Sequence, residues 1–209
     1  MNIRMKRIRP SFLLIFLLAS ANILQAEGTL FSAWEPELRL IPAIQISKVE
    51  DFDLKPQFSG RVEFISNFFL TRHNDIEYRL SLTGGYHFLG KSSLDGGYSY
   101  NGFSAGYIGM LIGAGGPLYR DIPDRPLSWR TNLGITGELA QYANTYNQFF
   151  FPSLRLEGGI DYHLLSFHGG SRQLFLNAGI PLEWHFRRET EINFSAGIYL
   201  SASILMGGE

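Results

Sequence analysis

Apolar and polar residues alternate one for one along most of this chain, the period of a β-strand rather than of a helix. In the first segment Leu38, Leu40, Pro42, Ile44 and Ile46 share one face, and Arg39, Ala43, Gln45 and Ser47 share the other. The second sets Phe58, Val62, Phe64 and Phe68 against Ser59, Arg61, Glu63 and Asn67, and the third sets Tyr78, Leu80, Leu82, Tyr86 and Phe88 against Glu77, Arg79, Ser81, Thr83 and His87. The fourth is looser, with Phe103, Ala105, Tyr107 and Leu111 on the apolar face and Ser104, Gly106 and Met110 opposite. The fifth alternates Leu127, Trp129, Leu133, Ile135 and Leu139 with Ser128, Arg130, Asn132, Thr136 and Glu138. The sixth opposes Leu154, Leu156, Ile160 and Tyr162 to Ser153, Arg155, Glu157, Asp161 and His163. The seventh opposes Leu174, Leu176, Ile180, Leu182 and Trp184 to Asn177, Glu183 and His185. The eighth opposes Ile192, Phe194, Ile198, Leu200 and Ile204 to Glu191, Asn193, Ser195, Ser201 and Ser203. Turn-rich stretches separate these segments, most clearly Gly90–Ser93, Asp121–Asp124 and His168–Ser171, and no room is left for a second domain.

Alternation does not say which face is wet. A soluble lipocalin-like barrel buries its apolar face, and a membrane barrel turns that face to lipid. Three features favour the membrane. After residue 26 only Lys48, Lys55 and Lys91 remain as lysines, all near segment ends or in connections. The polar face mixes Gly and Ser with Arg and Glu in near balance. Aromatic residues gather near segment ends, at Phe58 and Phe68, Tyr78 and Phe88, Trp129 and Tyr142, Phe150 and Tyr162, and Trp184 and Phe186. Such girdles lie at the two interfaces of membrane barrels. The predicted fold is an all-β, eight-stranded antiparallel transmembrane up-and-down barrel. Tyr98–Tyr119 carries two Gly-x-x-x-Gly spacings that suit a helix dimer, but its glycines and tyrosines read better as a strand with room for arginines reaching across the lumen.

Composition narrows the function. Of 209 residues only 18% are charged, with a formal net charge of −1, which disfavours nucleic-acid binding. The absence of cysteine excludes disulfides, thiolate metal sites, a cysteine nucleophile and an acylated lipoprotein cysteine. At the start, Arg4, Lys6, Arg7 and Arg9 precede the apolar run Phe12–Leu18 and the small residues leading to Ala26. That order reads as a cleaved signal peptide over residues 1–26, with Ala21 the second choice of cleavage site and the barrel in residues 27–209. Loss of four basic residues and no acidic ones takes the formal charge from −1 to −5.

The inward face carries the candidate site. In an eight-stranded ring, strands two and six stand opposite each other, and near their middles lie Arg61-Val62-Glu63 and Arg155-Leu156-Glu157. A barrel of this size has an interior that side chains fill. Arg61, Glu63, Arg155 and Glu157 are expected to form an interstrand quartet, extended toward the ends by Arg130, Glu138, Asp161 and Glu183. It is either a plug or a gate whose pairs exchange partners.

On this pattern and these inward Arg-x-Glu pairs, Leu38–Met206 resembles the eight-stranded outer-membrane barrels of the OmpA/OmpX and OmpW kind. The resemblance implies residence in the outer membrane of a diderm bacterium and contact with its lipid and lipopolysaccharide. It also implies handling by the outer-membrane assembly machinery, and a monomer. The charged interior is nearer to OmpA/OmpX, because OmpW-like barrels, implicated in uptake of small hydrophobic molecules, are more apolar inside. Many such barrels end on an aromatic residue, whereas this sequence ends Met206-Gly207-Gly208-Glu209.

No catalytic residue, cofactor or metal site is assigned. Some small barrels are lipid A acylases or deacylases that use His with Ser and an acid. Here His87 and His185 point inward from opposite walls near the outer ends, and His73, His163 and His168 fall toward the periplasmic side. Glu50, Asp51 and Asp53 read as a solvated loop tip or as a contact for divalent ions at the lipopolysaccharide surface. The outer loops, Lys48–Gln57, Leu89–Tyr98 and Gln141–Phe149, are the expected partner-facing surface for an extracellular ligand. Tyr142, Tyr146, Phe149, Phe150 and Phe151 read as girdle or as a binding ridge. The function expected is a structural and surface-interaction role with a charged, filled lumen; the alternative is a narrow porin-like channel or uptake barrel for small solutes.

Overall fold

A computed structural model describes residues 31–49, 56–73, 75–89, 92–93, 99–100, 104–118, 127–141, 148–186 and 190–207. The signal segment, the acidic residues Glu50, Asp51 and Asp53, and Tyr142 and Tyr146 lie outside the described residues.

The strands are β1 (Ala33–Val49), β2 (Gln57–His73), β3 (Ile76–Leu89), β4 (Ser104–Pro117), β5 (Leu127–Gln141), β6 (Gln148–Phe167) and β7 (Arg172–His185). The last, β8, comes in two pieces, Thr190–Gly197 and Tyr199–Gly207, and a two-residue hairpin of Ser92–Ser93 with Ser99–Tyr100 sits between β3 and β4. Each strand pairs antiparallel with its neighbour in sequence, and β1 pairs with both β2 and β8. The sheet therefore closes into an eight-stave barrel with no free edge, which satisfies backbone groups within lipid.

At one end two of the connections are tight. His73 pairs with Ile76 across a two-residue turn in which Asp75 adopts φ +67°. Between β6 and β7 a single 3₁₀ turn carries φ +70° at Gly169 and +95° at Gly170. These positive angles suit glycine and, less readily, Asp. This is called the turn end, and the opposite one the loop end.

Burial is inverted relative to a soluble domain. The inward positions are mostly polar or charged, and the outward ones are Leu, Ile, Met and aromatics, with Leu200 63% and Ile112 62% exposed. A small apolar cluster of Ile41, Ala43 and Tyr199 lies inside. An exposed apolar belt around a closed ring with a polar interior is the arrangement lipid requires, so the barrel is transmembrane.

Three expectations are corrected. The faces of β4 are reversed: Ala105, Tyr107 and Leu111 are buried inside, whereas Ile108, Met110 and Ile112 face outward. The inward positions 109, 113 and 115 are glycines, and a Cβ at Gly113 would overlap Asn132 and one at Gly115 would overlap the Arg79 guanidinium. Lumen crowding therefore places the small residues inside and the aliphatic run outside. Second, Phe68 is only 1% exposed, its ring 5.1 Å from that of Phe31, so it does not belong to a lipid-facing girdle. Third, β8 is interrupted at Ile198, whose N–H donates to the Pro42 carbonyl at 3.1 Å. Pro42 has no N–H of its own to give to β8, and the regular ladder lapses there.

Candidate functional site

Among the described residues, the lumen holds five buried arginines, Arg39, Arg61, Arg79, Arg130 and Arg155, with seven buried carboxylates. Strand alternation puts them all on the inner face. Because an eight-stave lumen is about one side chain wide, residues on opposite staves meet.

At mid-height Arg155 on β6 crosses to Glu63 on β2, with Nη1 and Nη2 donating at 2.5 and 2.9 Å. It also ion-pairs with Glu157 and, at 3.4 Å, with Glu183. Arg39 on β1 grips both oxygens of Glu157 at 2.9 and 2.8 Å and donates from Nε to Glu37 at 2.6 Å. The flat guanidinium fork suits such shared, two-pronged contacts. The Arg39 guanidinium also lies over the Tyr199 ring, 4.2 Å from its centre. That ring is seated over Gly159 and Gly179, where any Cβ would overlap it.

Below this layer, toward the turn end, Arg130 on β5 donates to Glu37 at 2.7 Å and pairs with Asp161, with Glu35 at 4.0 Å. Above it, Arg61 pairs with Glu183 and lies over the Tyr107 ring at 5.6 Å. At the loop end His87 from β3 and His185 from β7 meet as stacked rings with centroids 6.4 Å apart. His87 Nδ1 is 2.5 Å from Glu138, and His185 lies between Ser153 at 2.8 Å and Ser195 at 3.0 Å.

Of the expected quartet, Glu63, Arg155 and Glu157 are joined, but Arg61 pairs with neither Glu63 nor Glu157; its partner is Glu183. The stagger of the strands offsets Arg61 toward the loop end, where Glu183 reaches it. Glu183 consequently belongs to the centre of the network and not to its end. Arg130 and Asp161 pair near the turn end, and Glu138 sits with the histidines near the loop end. The sequence pattern puts Arg39 and Arg79 on the polar face but outside the quartet and its extension, and it does not reach Glu35 and Glu37. Pro36 breaks the polar run before Leu38, although Glu35 and Glu37 share the parity of Arg39, and that parity was the available signal.

Among the aromatic residues, Phe58, Tyr78, Phe88, Tyr162, Trp184 and Phe186 are exposed on the outer surface and Trp129 is half-buried. The side chain of Phe150 lies outside the described residues, as do those of Phe149 and His73. His163 and His168 sit at the turn end, His163 Nε2 at 2.9 Å from Ser166 Oγ. Among the described residues no group of three His, Asp or Glu side chains is disposed to hold a metal ion.

No family model and no curated protein matches this chain. Solved structures do. Neisserial surface protein A is similar at 15% identity and TM-score 0.45, over 84% of this chain and 97% of its own. Ail, the attachment invasion locus protein of Yersinia pestis, crystallised with the heparin analogue sucrose octasulfate, is similar at 11% identity and TM-score 0.45, over 83% and 99%. The translocator domain of the autotransporter NalP from Neisseria meningitidis matches at 10% identity and TM-score 0.30, over 92% and 94%. The eight-stave closure stands on the strand pairing itself, and no residue role is carried over from these proteins.

Proposed function

We propose that this chain is an integral outer-membrane protein of a diderm bacterium whose lumen is closed by its own side chains and whose work is structural and at the cell surface. The observation that carries this reading is the ion-pair network running between opposite staves, in which Arg155 joins β6 to β2 and Arg130 joins β5 to β1. A chain of buried pairs this dense occupies the path that a solute would take. In this reading the barrel is a monomer set in lipid and lipopolysaccharide, delivered by an amino-terminal signal and inserted by the outer-membrane assembly machinery. It carries no cofactor and performs no catalysis, and its outer loops meet an extracellular ligand.

The test is single-channel conductance of the refolded barrel in a planar bilayer, after heat-modifiable gel migration has established folding. A folded, silent barrel is the expected result. Discrete openings that change with Glu63→Gln or Arg155→Gln would replace the plug by a gate. The second reading, a narrow channel or uptake barrel for small solutes, is favoured by the incomplete pairing of charges at the turn end.

A further inference from the structure

At the turn end the lumen holds a partly open chamber of about 50 Å³ whose walls include Glu35, Phe69, Glu77, Arg79, Trp129 and Asp161. Two of its charged residues, Arg79 and Glu35, are not matched to each other as the pairs above them are. Arg79, from β3, is only 3% exposed, yet among the described residues it forms no ion pair and no hydrogen bond, and its Nε is buried without an acceptor. Its guanidinium lies over the Phe69 ring, 5.7 Å from the centre. Glu35, from β1, is 4% exposed, and its nearest cation is Arg130 Nη2 at 4.0 Å, a nitrogen that itself lacks an acceptor. Asp161 is already held by Arg130.

A lone buried guanidinium and a loosely held buried carboxylate thus face one chamber without joining. They stand on either side of β2, Arg79 in register with Phe69 and Glu35 in register with Asn67. Buried ionic groups are ordinarily paired and hydrogen-bonded, because burial without a partner is costly. Gly115 and Gly116 keep the β4 wall back: a Cβ at Gly115 would strike the Arg79 guanidinium, and one at Gly116 would strike the Asp75 carbonyl. A simple anion would suit Arg79 but would be repelled by Glu35, Glu77 and Asp161. A simple cation would suit the carboxylates but would be repelled by Arg79. A molecule carrying both charges a short distance apart satisfies both sides, with aromatic walls that suit an ammonium.

We propose that this chamber binds a small zwitterion of the amino-acid class, its carboxylate on Arg79 and its ammonium on Glu35. The site is confined to the turn end and is independent of whether the lumen above it conducts.

The test is an amide NMR titration of the refolded full barrel in detergent micelles, with glycine as probe and acetate and methylammonium as single-charge controls. Glycine is expected to give saturable shifts at Gly116, Ser128 and the Trp129 indole N–H, with at least tenfold tighter binding than either control. Arg79→Gln should abolish the glycine response, and Glu35→Gln should weaken glycine while strengthening acetate. Acetate binding as well as glycine would make this an anion site and overturn the proposal. Methylammonium binding as well as glycine would overturn it in favour of a cation site. The absence of a saturable glycine shift would leave a chamber that holds water only. These three comparisons use the unaltered protein, so they stand even if a variant fails to fold.

Discussion

Arg155 at mid-lumen meets Glu63, Glu157 and Glu183, whereas Arg79 at the turn end, also buried, meets no carboxylate within ion-pair distance among the described residues. Both are inward arginines on adjoining levels of the same tube. The difference lies in what stands opposite. Arg155 faces the polar runs of β2 and β7, and its neighbours converge on it from several staves. Arg79 faces the glycine strand β4, which offers space and no acceptor side chain. Paired charges fill the middle of the barrel, and the glycines of β4 leave room at its turn end.

The largest effect should come from breaking the paired level. Arg155→Ala leaves Glu63 and Glu157 with fewer counter-charges in a confined interior, at a cost of about 3–5 kcal/mol where the site is dry. Urea unfolding of the barrel in vesicles would register it as a lower midpoint. Next comes the opposite face of the wall. Leu40→Arg places a charge near the middle of β1 on the lipid side, and should cost about 2–4 kcal/mol by the same measurement. A smaller loss, about 1–3 kcal/mol, is expected for Gly179→Val, which drives Tyr199 off its seat and away from Arg39. Smallest of all is Arg79→Gln. With no ion pair to lose, its unfolding midpoint should move by no more than about 1 kcal/mol in either direction. An Arg79→Gln loss as large as that of Arg155→Ala would erase the contrast between the two levels.

Much of this was legible in the residues, for definite reasons. Leu154 to Tyr162 alternates cleanly because its outward positions touch lipid and its inward ones face the charged lumen, so parity alone sorts them, whereas inward Ile41 and Ala43 break the pattern in β1. The fourth strand resists the same treatment. Tyr107 and Leu111 are apolar yet face the lumen, where Tyr107 lies beneath the Arg61 guanidinium, and the glycines around them carry no sign of direction. Inward charge could be read, but its partners could not. Which guanidinium meets which carboxylate depends on strand stagger and on side chains crossing from opposite staves, and neither leaves a trace in local spacing. Arg61 and Glu63 are neighbours in sequence, yet they bind Glu183 and Arg155. The meeting of His87 with His185 has the same origin: their walls are opposite, and the tube is too narrow to keep them apart.

The two prolines of β1 have a consequence for how the cylinder is completed. Pairing of β1 with β2 runs without a gap through Pro36 and Pro42. Pairing of β1 with β8 skips both Pro36 and Pro42 and is split at Ile198. The seam between the first and last staves is therefore interrupted at both prolines, and it is also the one whose halves are farthest apart along the chain. Closing so distant a contact carries the greatest loop-closure entropy, so the seven hairpin ladders can zip in order and the β1–β8 lacing is drawn last. In amide exchange the rungs around Ile198 should then be the first to come undone, a built-in starting point for unlacing that leaves the rest of the wall intact.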